Sequence, residues 1–229
     1  MGIEQRVAVV TGGSRGIGLA TVRELSAEGW AVINADLEPG GEGHFVRTDV
    51  SDRASVESLF AGLERVDALV NNAARNIRAP FLETAVEDVE RVWAVSLWGV
   101  FHCTQVAARR MMDGGSIVMV SSVHAERAYA NSTAYNGAKA AVNQMARTWA
   151  YELAPRRIRV NCVEPGWTDT PGERTFFSEE QIREQGARLP WGRLAEPIEI
   201  ARAVSYLVSE RASYVTGSVL KVDGGLTLP

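Results

Sequence analysis

Tyr135 and Lys139 stand four residues apart in the stretch SSVHAERAYANSTAYNGAKAA, and Ser122 lies thirteen residues before the tyrosine. On a helix, positions i and i+4 share one face, so a phenol and an ammonium would stand side by side. An unperturbed tyrosine has a pKa of about 10, too high for a base at neutral pH. A neighbouring ammonium favours the phenolate and lowers that value. Tyr135 is therefore a candidate general acid/base, with Lys139 as the group that lowers its pKa. Ser122 is a candidate partner for a substrate oxygen. The same spacing also describes an ordinary helix-face pair, and only the surroundings separate the two readings.

A second constellation lies near the start, in VAVVTGGSRGIGLATVREL. Gly12, Gly16 and Gly18 follow an apolar run and open a helical pattern. Glycines there permit a tight turn and close backbone approach, and a helix N-terminus favours a pyrophosphate. The cradle would comprise Gly12, Ser14, Arg15, Gly16, Ile17 and Gly18. Asp36 ends the second apolar run, about twenty residues on, where a carboxylate accepts hydrogen bonds from adenosine ribose hydroxyls and repels a 2′-phosphate. Arg15 pulls the other way, since a guanidinium pairs with phosphate. Leu37 adds no second positive charge, so the balance favours NAD over NADP.

These residues need a scaffold, and the pattern supplies one. Strands are expected at 7–10, 31–35, 44–47, 68–71, 116–121, 159–163 and 219–222. Helices are expected near 16–28, 52–63, 84–112, 132–153 and 197–209. Thr84 with Glu87 reads as a capping box, and Pro197 suits a first helical turn. Continuous apolar strands alternating with helices indicate an α/β fold, a parallel sheet of about seven strands covered on both faces. Only EPGGEG separates ADL from HFVR, too short and glycine-rich for a helix, so the second crossover is expected to be a bare loop.

The 229 residues fit one domain, and no linker or repeat divides them. A net charge of −4 gives no reason to expect nucleic acid or an anionic membrane as a partner. The start reaches a glycine turn too soon for a signal peptide, and no apolar run approaches the roughly 18 residues of a membrane span. Cys103 and Cys162 lack metal-ligand spacing, so no metal site is expected. They read as buried thiols of a cytoplasmic protein.

Taken in order and at their intervals, TGGSRGIG (11–18), NNAA (71–74), Ser122 with YNGAK (135–139), PGWTDT (165–170) and VDGG (222–225) resemble the motifs of the short-chain dehydrogenase/reductase family. The likeness spans nearly the whole chain and implies a single Rossmann-type domain. It also implies that Asp49 and Val50 flank the adenine, and that Asn72, Ala73 and Ala74 line the cofactor's central stretch. Ala74 replaces a family glycine. After the Pro165–Gly166 turn, Thr168 and Thr170 would hold the nicotinamide carboxamide, and Lys139 would bind the nicotinamide ribose. Aligning VWAVSLWGVF (92–101) places Ser96 where the family has an asparagine. There it either holds a proton-relay water with its hydroxyl or leaves the relay weakened. The resemblance further implies a homotetramer, with the 84–112 and 132–153 helices pairing across subunits.

His124 and Trp167 follow these motifs and are candidates to line the substrate pocket. Arg75, Asn76, Glu126 and Arg127 are weaker ones, since charged loop residues are usually solvated. Residues 171–195, with Phe176 and Phe177 in a polar stretch, are expected to form a lid. An NAD-dependent alcohol or sugar dehydrogenase acting on a small polar alcohol or carbonyl compound fits best. The segment PGWTDTPGER…LPWGRL is similar to glucose 1-dehydrogenase-like sequences. The rivals are a 3-oxoacyl-carrier-protein-type reductase using NADPH, which Arg15 suits, and a dinucleotide sensor without turnover, which intact Ser122, Tyr135 and Lys139 oppose.

Overall fold

The computed structural model describes residues 5–228. Seven strands run β1 (Val7–Thr11), β2 (Ala31–Asp36), β3 (His44–Arg47), β4 (Ala68–Asn71), β5 (Ser116–Val120), β6 (Arg159–Pro165) and β7 (Val219–Val222). They form one sheet in the order β3-β2-β1-β4-β5-β6-β7, and every pairing is parallel. Strands β4, β5 and β6 are buried throughout, as strands covered on both faces must be. Helices α1 (Gly16–Ala27) and α7 (Pro197–Val208) cover one face, with Val22, Leu25, Ile200 and Val204 in that core. The opposite face carries α2 (Arg53–Ala61), α4 (Val100–Arg110) and α5 (Thr133–Leu153), through Phe60, Cys103 and Val142. Both cysteines are buried free thiols. Among the described residues no helix is long and apolar enough to cross a membrane.

The second crossover is a loop, as its composition requires. Residues 37–43 carry the chain back only from Asp36 to His44, which pairs beside Ile33, about 10 Å at a strand's rise. The loop packs directly on α1 in place of a helix. Glu42 pairs with Arg23 at 3.1 Å, and a side chain at Gly41 (φ +69°) would collide with Leu19.

Three local expectations are corrected. The expected 84–112 helix is interrupted: α3 (Val86–Trp93) and α4 flank a π-helical turn over Ala94–Gly99. Thr84 does not cap α3, whose N-cap is Ala85 with no side-chain cap; its hydroxyl donates to the carbonyls of Ala79 and Pro80 instead. The 171–195 segment holds an unforeseen helix, α6 (Glu179–Gly186), started by a capping box between Ser178 and Gln181. Pro197 does occupy the first turn of α7, where Glu196 and Glu199 form the capping box.

Candidate active site

The parallel sheet carries the C-terminal ends of β1, β4, β5 and β6 to one edge, and the candidate residues collect there. β1 leads into the glycine turn. Gly12 adopts φ +64°, and a side chain at Gly18 would lie 2.0 Å from the Gly12 carbonyl oxygen. Arg15 at the N-cap of α1 is extended and gives no side-chain cap, and the first turn holds no acid. The leading N–H groups of the helix thus have no side-chain acceptor, and their partial positive charge suits a phosphate. The Asn72 amide braces this turn, donating to the carbonyls of Thr11 and Gly12, while Thr11 Oγ1 accepts from the N–H groups of Asn72 and Ala73. At the far side, the Gly16 backbone packs against Thr170, while Thr168 is buried and donates to the Gly166 carbonyl. Pro165 ends β6.

Asp36 stands at the end of β2, accepting from Ser14 N at 3.0 Å and Leu37 N at 2.7 Å. Ser14 Oγ in turn donates to the Glu38 carbonyl at 2.6 Å, so the short crossover is tied to the glycine turn. Ile17 packs partly buried against the α1/α7 core, and Ala74 is exposed. Asp49 accepts from the Ser51 amide and hydroxyl, and Val50 is buried against Gly99 in the π-turn.

Ser122 follows β5, and the first two turns of α5 carry Tyr135 and Lys139 past it. Lys139 is buried, donates from Nζ to the Val120 carbonyl at 2.7 Å, and lies 5.4 Å from the centre of the Tyr135 ring. The lowering expected from the lysine is not what the protein's own groups produce. Burial pushes Tyr135 up to about 12, reinforced by the Glu173 carboxylate and only partly opposed by the hydrogen bond with Ser122. Burial also pushes the Lys139 ammonium down to about 8. By the protein's own groups, the phenol is held as a neutral acid, with burial the largest cause.

Ser96 sits fully buried in the π-turn, a feature frequent at functional sites. Its hydroxyl accepts from Arg75 N and donates to Arg75 O, both at 2.9 Å. The single hydroxyl proton is therefore committed to backbone. The contact clamps the loop after β4 to the π-turn.

His124 lies beside Tyr135, 5.3 Å from its ring, and is stacked on Tyr129 at 4.1 Å. Its Nδ1 meets Asn136 Oδ1 at 2.6 Å, and Asn136 Nδ2 donates to the Tyr129 carbonyl. The amide therefore accepts, His124 Nδ1 carries the hydrogen, and Nε2 is left as an acceptor. Burial lowers the His124 pKa and keeps the ring neutral. Trp167 donates to Glu173 Oε2 at 2.7 Å and meets Phe177 edge-on at 5.2 Å. Glu126 and Arg127 are directed elsewhere, to Lys221 and to the Leu226 carbonyl. Asn76 Oδ1 is buried with no hydrogen-bond partner among the described residues. The sequence reading missed Asn136, Glu173 and Arg78. Asn136 adjoins Tyr135 and Glu173 lies in the expected lid, but nothing local marks Arg78. A cavity of about 320 Å³ between Trp167, Trp191 and Asp223 shares only Trp167 with this cluster and reaches neither Ser122 nor Tyr135.

A parallel sheet with a glycine turn, an uncapped helix N-terminus and an acid closing β2 defines a dinucleotide-binding protein of Rossmann type, and the lysine's remaining donors and the phosphate cradle fit a nicotinamide dinucleotide. Residues 12–227 match the family model described as enoyl-(acyl carrier protein) reductase. The chain belongs to the short-chain dehydrogenase/reductase family. It is 41% identical to the cis-4-hydroxycyclohexanecarboxylate dehydrogenase of Sinomonas cyclohexanicum, over 97% of each chain. It is 38% identical to the 3-oxoacyl-[acyl-carrier-protein] reductase of Thermotoga maritima over the full length of both. The ligand-free aldohexose dehydrogenase structure from Thermoplasma acidophilum superposes with a TM-score of 0.91 at 32% identity, covering 98% of this chain and 95% of that one. The family places the protein among oxidoreductases that act on CH–OH groups of small molecules with a nicotinamide dinucleotide.

Proposed function

We propose that the protein interconverts a secondary alcohol on a small ring or sugar with its ketone, using NAD. The observation that carries this reading is the gathering of Ser122, Tyr135 and Lys139 at the end of β5, on the sheet edge where the glycine turn also lies. The bound nicotinamide supplies the hydride acceptor or donor; the remaining chemistry belongs to the chain. Ser122 orients the substrate oxygen. Tyr135 gives its proton to that oxygen during reduction and takes it back during oxidation. Lys139 has donors beyond the one spent on Val120, and these would hold the ribose hydroxyls of the nicotinamide half. Ser96 acts as a positioning residue: by holding the Arg75 N–H and C=O it fixes the Asn72–Ala74 wall of the cofactor groove.

Asp36 supports NAD, since a 2′-phosphate would meet its carboxylate with Glu38 close behind; Arg15 is exposed and supports NADP. The 3-oxoacyl reductase reading rests on the Thermotoga relative and would need that second cofactor. Residues 171–195, including α6, serve as the lid, with Trp167 and Phe177 as its inner wall. Exposed Leu82, Trp93, Trp98 and Tyr151 around α3–α5 support a homotetramer formed through these helices. A cytoplasmic location agrees with the two free thiols.

Tyr135→Phe tests the mechanism. It removes one hydroxyl from a ring held by neighbours, so NADH binding should persist while turnover falls by about 10²–10⁴-fold. Turnover within a few-fold of wild type would remove Tyr135 from proton transfer.

A further inference from the structure

Glu164, near the end of β6, is fully buried, and so nearly is Asn143 on α5, one helical turn beyond Lys139. Asn143 Nδ2 donates to Glu164 Oε1 at 2.5 Å. The other oxygen of each group, Glu164 Oε2 and Asn143 Oδ1, is buried with no hydrogen-bond partner among the described residues. The charged groups around the carboxyl are engaged elsewhere. Lys221, its register partner on β7, is bound to Glu126, which follows β5. Arg147, one turn on from Asn143, donates to Gln144 at 3.3 Å. Lys139 donates to the Val120 carbonyl. Cys162, two residues back on β6, is a neutral thiol that burial pushes up to about 12. Glu164 is therefore a carboxyl sealed in the core beside an amide, with no cation bound to it.

A buried carboxylate without a cation is strongly disfavoured, and such a group keeps its proton instead. As an acid it offers one donor and one acceptor, and a primary amide offers the same. Oε1 already accepts from Nδ2, so a proton on Oε2 would meet the one amide oxygen that lacks a donor. A single proton thus satisfies both stranded oxygens. We propose that Glu164 carries a proton in the folded protein, closing a two-bond acid–amide pair with Asn143, and that release of this proton at higher pH is a switch that unfastens α5 from β6. Without the proton, Oε2 and Oδ1 are two acceptors in one sealed site, and one of them is charged. The joint bears on the candidate site because α5 carries Tyr135 and Lys139, while β6 runs into the Pro165–Gly166 turn and Thr168. Burial raises the Glu164 pKa from its usual 4.5, with Glu126 adding to it and Asn143, Lys221 and Arg147 opposing. The folded protein thus holds a proton that the unfolded chain releases above 4.5. The stability it contributes is complete below that pH and is lost as pH rises through the raised folded value. None of this rests on the dehydrogenase reading.

Glu164→Gln tests the pair, because its amide puts a permanent donor where the proton sits and cannot ionise. Melting of both proteins without added cofactor is compared at pH 5 and pH 8. The variant should melt several degrees above wild type at pH 8, and the gap should close at pH 5. Carbon-13 NMR of protein labelled at its glutamate carboxyls reads the proton itself. The resonance missing from Glu164→Gln should be that of an acid at pH 6, where an ordinary glutamate is ionised. A carboxylate resonance at pH 6, the result expected if hidden water solvates an ionised Glu164, overturns the proposal. So does a gap in Tm that is equal at both pH values, or a variant that fails to fold or melts below wild type at pH 8.

Discussion

Lys139→Met should make the protein more stable and catalytically inert. The lysine is 2% exposed, and burial lowers its pKa from 10.5 to about 8. At about 1.4 kcal/mol per tenfold change, carrying the ammonium at pH 7 costs about 3 kcal/mol. Methionine has a similar length and no charge, and replacing a buried charge with an apolar side chain is often stabilising. The variant forfeits the hydrogen bond to the Val120 carbonyl, worth about 1 kcal/mol, so the net gain should be about 2 kcal/mol. For a chain of this size that is roughly 4–8 °C in Tm. The pH dependence sharpens the test. Between pH 8 and 10.5 the unfolded chain binds more protons at this position than the folded one, so wild-type stability gains on the variant as pH rises. At pH 9.5 the residual cost falls to about 1 kcal/mol, close to the lost hydrogen bond, and the advantage of methionine should nearly vanish. Scanning calorimetry of both proteins without added cofactor, at pH 7 and pH 9.5, reads this directly. A methionine variant no more stable than wild type at pH 7, or equally favoured at both pH values, would refute the claim that the site holds a desolvated ammonium.

Asp36→Ala should lower the NAD-to-NADP ratio of kcat/KM by about tenfold or more, because the carboxylate facing a 2′-phosphate is removed while Arg15 remains; a wild-type preference for NADP would refute the reading of Asp36. Ser96→Ala should strand both polar groups of the Arg75 backbone and lower stability by about 1–3 kcal/mol. Its KM for NAD should rise several-fold while kcat and its pH profile stay near wild type, and Ser96→Thr should restore affinity. A reduced kcat with a shifted pH profile and unchanged KM would instead assign the hydroxyl to proton relay.

The strand pattern was legible because each strand is buried on both faces and therefore reads as a local apolar run. All seven fall within two residues of their expected limits. The bare second crossover was equally legible, since EPGGEG has neither the length nor the residues for a helix. The glycine turn and the Tyr135/Lys139 spacing are local too, because the chemistry demands neighbours along one turn or one helix face. Other features depended on contacts between distant segments. The π-turn at Ala94–Gly99 meets Val50 across the fold, and Ser96 finds its partner twenty-one residues away in Arg75. The sign of the Tyr135 shift depends on how much protein surrounds the phenol, which no spacing records. Arg78 meets Phe177 only because the loop after β4 and the segment after β6 emerge at the same sheet edge. Sequence fixes which groups a turn or helix brings together; desolvation and cross-sheet contacts arise only once the parallel sheet has set its strand order.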